Sequence, residues 1–206
     1  MKKYIITGVV VFLIVVIANS FIFLNKVDPV IILTNAFFCV IICAVVVSFF
    51  SVLVRFLPKK LFRYDNILFR TYKWEEKFYN FLHIKSWKEK IPEMGKTGGF
   101  AKNKVDKPKD KEYLEKFLQE NCIAEFIHVN SVIFNGLLFI FLPVEYHITI
   151  GIPIFLLAGY LNILPAFVQR YLRPKLLVLY KHAIRLEERA KKKAMLSEEK
   201  EKCDNI

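Results

Sequence analysis

Apolar residues in this chain come in four long blocks, and the polar residues inside the last two fall on stripes. Tyr4 to Leu24 is apolar apart from Asn19 and Ser20, and Val30 to Phe56 is broken only by small or weakly polar residues until Arg55. Each exceeds the roughly 20 residues that a helix needs to cross ~30 Å of hydrocarbon. Two further blocks, from about Ile123 to Leu142 and from about Ile148 to Val168, carry or adjoin polar side chains at helical spacing. These are Asn121, Glu125, His128 and Asn135 on the first, and Asn162, Gln169 and Arg173 on the second. Positions three or four apart share one face of a helix, so each set lines one side. The pattern predicts an all-α integral membrane protein with four transmembrane helices arranged as two hairpins, together with a cytosolic interfacial helix.

The chain divides accordingly into a first hairpin (1–57), a basic segment (58–119), a second hairpin (120–172) and a charged tail helix (173–206). In the basic segment, apolar Ile67, Leu68, Tyr72, Trp74, Phe78, Tyr79, Phe81 and Leu82 are interleaved with Arg70, Lys73, Lys77 and Lys85. Near-helical spacing from Ile67 to Ile84 is that of a helix lying among lipid headgroups, with Trp74 and Trp87 as interfacial anchors. Ile91-Pro92 ends it, because the residue before proline is pushed out of the helical region. Lys96 to Lys111, with Gly98-Gly99, Pro108 and six lysines, reads as an exposed loop. A helix resumes near Lys111 and runs into the third block. The short turn Pro143 to His147 makes the last two blocks antiparallel neighbours. Residues whose numbers sum to about 290 then lie at one depth, which pairs His128 with Asn162 and Asn121 with Gln169.

Composition narrows the class. Apolar residues make up 55% of the chain and mean hydropathy is +0.35, yet the net charge is +12, a combination that a soluble domain seldom has. Of the 31 Lys and Arg, 17 lie from Arg55 to Lys116 and none between the third and fourth blocks. The positive-inside rule then puts both termini and the central segment on the cytosolic side of a cell membrane. The basic surface suits anionic lipid headgroups and not nucleic acid. Met1-Lys2-Lys3 ahead of an apolar run ending near Ala18-Asn19-Ser20 is also a secretory-signal pattern, so cleavage of the first block is the alternative. None of the four cysteines has zinc-site spacing, and no metal site is expected.

Ionisable side chains within membrane segments are costly and mark a site by default. Glu125 and His128, three residues apart, form a carboxylate and imidazole pair near an interface, where the carboxylate would orient the ring and raise its basicity. Asn135 and Asn162 read equally as hydrogen-bonding glue between helices. The four histidines lack an Asp five residues on, and no Gly-x-Ser-x-Gly elbow is present. His147 and His182 read as solvated.

Ala124-Glu125-Phe126-Ile127-His128, Asn162, and Gln169-Arg170-Tyr171-Leu172-Arg173-Pro174 stand together with Ile84, Trp87-Lys88, Lys90, Pro92 and Gly98-Gly99-Phe100. Over about residues 70 to 176 this set resembles the signature of the glycosyl-4,4'-diaponeurosporenoate acyltransferase family, the last enzyme of staphyloxanthin-type carotenoid synthesis. The resemblance implies a membrane O-acyltransferase that esterifies a sugar hydroxyl of a glycosyl carotenoid or related glycolipid. Its fatty acyl donor would be acyl-CoA or an acyl carrier protein, and no cofactor is called for. His128 and Glu125 would be catalytic, while Asn162, Gln169, Arg170, Arg173, Trp87 and Lys88 would bind substrate. Arg170 and Arg173, at the membrane surface, would alternatively meet donor phosphates. The rival is a non-enzymatic small membrane protein, a partner or assembly factor whose polar stripes bind another helix. A transporter is disfavoured, because four spans without internal repeats offer little for alternating access.

Overall fold

The computed structural model describes residues 2–24, 26–91 and 105–204, and among them every regular element is helical. Helices α1 (Lys2–Ile22) and α2 (Pro29–Phe56) form the first hairpin. Asp28 starts α2 by accepting a hydrogen bond from the Val30 N–H, with Pro29 in the first turn where a missing donor loses nothing. Two short helices follow, α3 (Lys73–Phe81) and α4 (Ile84–Trp87). Helix α5 (Lys111–Phe134) opens on Asp110, which accepts from the Tyr113 N–H, and passes through a 3-10 turn at Asn135–Leu137 into α6 (Leu138–Phe141). After a turn at Val144–Tyr146 and a π-helical turn at His147–Gly151, α7 runs from Ile152 to Asp204. Gly151 leaves room for side chains at this return, since a Cβ there would lie 2.7 Å from Phe139 Cε1 and force that ring to shift.

Three helical stretches are long and apolar enough to cross a membrane: Pro29–Phe56, Lys111–Phe141 and Val144–Ser197. In α1 the apolar stretch among the described residues is Gly8–Ile22, which is shorter, so by this measure three of the four expected crossings are present among the described residues. Phe21, Val30, Phe56, Ile140 and Ile148 stand exposed on these helices, a surface that water would not tolerate over such an area. One core joins α1, α2, α6 and α7 through Val15, Ile32, Cys39, Leu138 and Ile154. Asn19 adds a polar tie, its Nδ2 donating to Val15 O at 2.8 Å and to Thr149 O at 2.9 Å. A second core joins the start of α5 to α7 through Leu114, Leu118, Leu176 and Ala183.

Two expected boundaries move. The division at 172/173 falls inside one unbroken helix, because α7 accommodates Pro165 and Pro174 and keeps Leu176, Tyr180 and Ala183 buried against α5. The interfacial helix expected over Ile67–Ile84 is cut to α3 and α4, parted by His83 at φ 51°. Residues 66–72 turn without forming a helix, since three of their carbonyls are bonded by side chains from α7. Helices α3 and α4 pack on α7 through Tyr79, Ile84, Val168 and Leu172. Pro92, most of the Lys96–Lys111 loop and Gly98-Gly99-Phe100 lie outside the described residues.

Candidate active site

The tight turn at Val144–Tyr146 sets α5 and α7 antiparallel, and the pairs anticipated from the register meet. His128 Nδ1 lies 3.1 Å from Asn162 Oδ1. Asn121 Nδ2 donates to Gln169 twice, to the backbone oxygen at 3.1 Å and to Oε1 at 2.5 Å. Around these pairs the two polar stripes build two different neighbourhoods.

The first is a closed cluster of ions. Glu125 accepts from Arg170 Nη1 at 2.7 Å through one oxygen and from Arg173 Nη2 through the other. Arg173 is fully buried, and its other two nitrogens are bonded as well: Nε donates to Asn121 Oδ1 at 2.9 Å and Nη1 to Phe69 O at 2.7 Å. Its guanidinium lies over the Phe69 ring, 5.6 Å from the centroid. Arg170 meets Glu75 through two bonds, Nε to Oε2 at 2.9 Å and Nη2 to Oε1 at 3.0 Å. It also donates to Arg70 O at 3.0 Å and Leu68 O at 3.5 Å. Two guanidiniums and two carboxylates cancel, which is the condition under which charge can stay buried. Glu75 further accepts from the Tyr72 N–H at 3.0 Å and the Tyr79 O–H at 3.3 Å. Burial, reinforced by that carboxylate, pushes the Tyr79 phenol well above its ordinary range and keeps it a donor.

The cluster alters two expectations. Glu125 does not orient His128, although both lie on one face of α5, because cationic donors from α7 capture both of its oxygens. Arg173, closed to solvent with Nε, Nη1 and Nη2 all bonded, and Arg170, bonded to two carboxylates, are engaged within the protein and not held out toward a phosphate.

The second neighbourhood is a half-satisfied imidazole. Asn162 is buried, and its Nδ2 donates to Ala158 O at 2.8 Å. The amide is thereby fixed with Oδ1 toward the ring, so the hydrogen of neutral His128 belongs on Nδ1 and the lone pair on Nε2. Nε2 has no hydrogen-bond partner among the described residues. His128 itself is only partly buried.

The other expected residues lie apart. Trp87 Nε1 donates to Leu82 O at 2.9 Å, and the ring lines a cavity of about 360 Å³ with Leu82, Lys90, Ile91, Tyr160, Leu164 and Phe167. Tyr160, Leu164 and Phe167 follow helical spacing on the side of α7 turned away from Asn162, so α7 stands between this cavity and His128. Lys88 is bridged to Glu89 at 3.0 Å. Glu75, absent from the sequence expectations, is a full member of the ion cluster. Among the described residues no group of three or more His, Cys, Asp or Glu side chains is arranged to hold a metal ion.

A family model described as glycosyl-4,4'-diaponeurosporenoate acyltransferase matches residues 58–182. The matched stretch takes in His128, Asn162, the whole ion cluster, Trp87 and Lys88, and leaves α1 and α2 outside. No curated protein and no solved structure matches the chain.

Proposed function

We propose that this chain, which belongs to the glycosyl-4,4'-diaponeurosporenoate acyltransferase family, transfers a fatty acyl group to a sugar hydroxyl of a glycosylated carotenoid or related glycolipid at the membrane. Membership makes it an acyltransferase of carotenoid biosynthesis. The finer assignment of acceptor and mechanism is our reading of the site, and it is supported above all by the free Nε2 of His128 opposite an Nδ1 held by Asn162.

In this reading His128 is the general base. Its Nε2 takes the hydroxyl proton as the sugar oxygen bonds to the acyl carbonyl carbon. The tetrahedral intermediate then breaks its bond to the carrier sulfur, and the proton passes from Nε2 to the departing thiolate. An ester and a free carrier thiol result, with the imidazole neutral again. Asn162 Oδ1, accepting from Nδ1–H, keeps the tautomer and steadies the imidazolium between the two proton transfers. Glu125, Gln169, Arg170 and Arg173 act one step removed, by locking α5 to α7 in the register that makes the His128 and Asn162 pair. The donor is acyl-CoA or an acyl carrier protein, approaching from the basic cytosolic side. We place both termini there, with α1 as a fourth crossing.

The test compares lipid and pigment extracts by mass spectrometry from cells that make a glycosyl carotenoid. Three strains are needed: one lacking the protein, one carrying it, and one carrying His128→Ala at equal abundance. An acyl mass added to the glycosyl carotenoid only by the unmodified protein supports the reading. Identical profiles in all three, with the acceptor demonstrably present, would sink it in favour of an assembly factor. Equal acylation with and without His128 would remove this residue from the chemistry.

A further inference from the structure

The cavity beside Trp87 has a chemistry of its own. Its walls are Leu82, Trp87, Ile91, Tyr160, Leu164 and Phe167, with Lys90 contributing the charged part of the lining. Lys90 is exposed and has no carboxylate partner among the described residues, whereas Lys88 beside it is tied to Glu89. The hydrogen bond from Trp87 Nε1 to Leu82 O holds the indole in place, so that wall is preformed. Tyr160 and Leu164 belong to a stretch apolar enough to cross a membrane. They lie ~12 and ~18 Å along the helix from Ile152, and Arg170 lies ~27 Å along, against ~30 Å of hydrocarbon. The cavity therefore reaches from about the middle of the hydrocarbon toward the end of the bundle where charges begin. Trp74 and Phe81 of α3 and Lys85 of α4 are exposed on the same short helical segment.

We infer that this cavity binds one acyl chain of an anionic bilayer phospholipid, with the lipid phosphate on Lys90. Apolar walls ending in one uncompensated cation complement a hydrocarbon chain joined to an anion. A zwitterionic headgroup brings its own cation to that point and gains less from Lys90. Because α7 separates the cavity from His128, the site is distinct from the acyl-transfer centre. The inference requires that α7 cross a membrane, and it does not depend on which acceptor is acylated.

The chain has two tryptophans, so Trp74→Phe leaves Trp87 as the only indole. That full-length protein, in phosphatidylcholine nanodiscs, is titrated with phosphatidylglycerol or phosphatidylcholine carrying brominated chains, and tryptophan quenching is followed. Phosphatidylglycerol should quench saturably and at lower mole fraction. Lys90→Ala should raise the mole fraction required about fivefold, the worth of one basic side chain at an anionic surface. Leu164→Phe, which fills the cavity, should abolish the saturable component for both lipids while leaving the fold intact. Equal quenching by the two lipids, unchanged by Lys90→Ala, would reduce the contact to ordinary lipid packing and overturn the proposal. Absence of quenching by either would overturn it too. Displacement of the brominated lipid by soluble glycerol phosphate would mean that phosphate alone is recognised, and the acyl-chain assignment would fall.

Discussion

Glu125 and His128 stand one helical turn apart on α5 and meet opposite conditions. Around Glu125 both carboxylate oxygens are taken by guanidiniums, and Arg173 beside it is fully buried with all three side-chain nitrogens bonded. Around His128 one ring nitrogen is held and the other is open. A saturated ion cluster has nothing left to offer a reactant, whereas an imidazole with a fixed hydrogen and a spare lone pair can accept a proton. The difference separates the group that holds the helices from the group suited to chemistry, although the sequence places both on one stripe. Two turns beyond His128 a third condition appears: Asn135 is fully buried with neither Oδ1 nor Nδ2 bonded.

The contrast can be broken at its strongest point first. Glu125→Ala strands Arg173 as an uncompensated buried charge, which should lower stability by about 3–5 kcal/mol and deplete the folded protein. Thermal unfolding in detergent and abundance in membranes would show it, and a change below the threshold of detection would deny the cluster its role. His128→Ala should do the reverse, cutting acyl transfer by about 10²–10⁴-fold while removing only ~1 kcal/mol of stability with its bond to Asn162. Specific activity normalised to folded protein distinguishes the two variants. Glu75→Gln, buried beside the partly exposed Arg170, should lie between them in stability at about 1.5–3 kcal/mol, with residues 66–72 becoming the first point of limited proteolysis. The smallest effect is of opposite sign. Asn135→Leu removes two unpaired buried polar atoms while keeping the branched shape of the side chain and should raise stability by ~1 kcal/mol; a fall would mean that Asn135 has a partner in the membrane.

Much of this arrangement was readable in the chain. The stripes survive as the buried polar line between α5 and α7, since helical spacing and a short turn leave little freedom in which residues face one another. That is why the pairing of His128 with Asn162 and of Asn121 with Gln169 could be anticipated. The partnership of Glu125 could not, because spacing along one helix reports a shared face and says nothing of stronger partners arriving from another. Glu75 was hidden for a related reason. It lies 95 residues from Arg170, among alternating lysines and aromatics that resemble a solvated face. Its local signal, a glutamate three residues after Tyr72 that bonds back to the Tyr72 N–H, marks a helix start and nothing further. The unbroken α7 was obscured by Pro174 and the change to charged sequence, which mimic a boundary although packing against α5 continues past them.

The guanidiniums of Arg170 and Arg173 grip the 66–72 turn by the main-chain oxygens of Leu68, Phe69 and Arg70. Main-chain oxygens are the same in every amino acid, and the side chains of Leu68 and Arg70 point into the open. Selection acting through these contacts therefore has no purchase on the identity of residues 68 and 70. In diverging relatives those two positions should drift while the arginines stand still. Covariation between positions, the usual trace of contact across evolutionary time, should be silent at this junction.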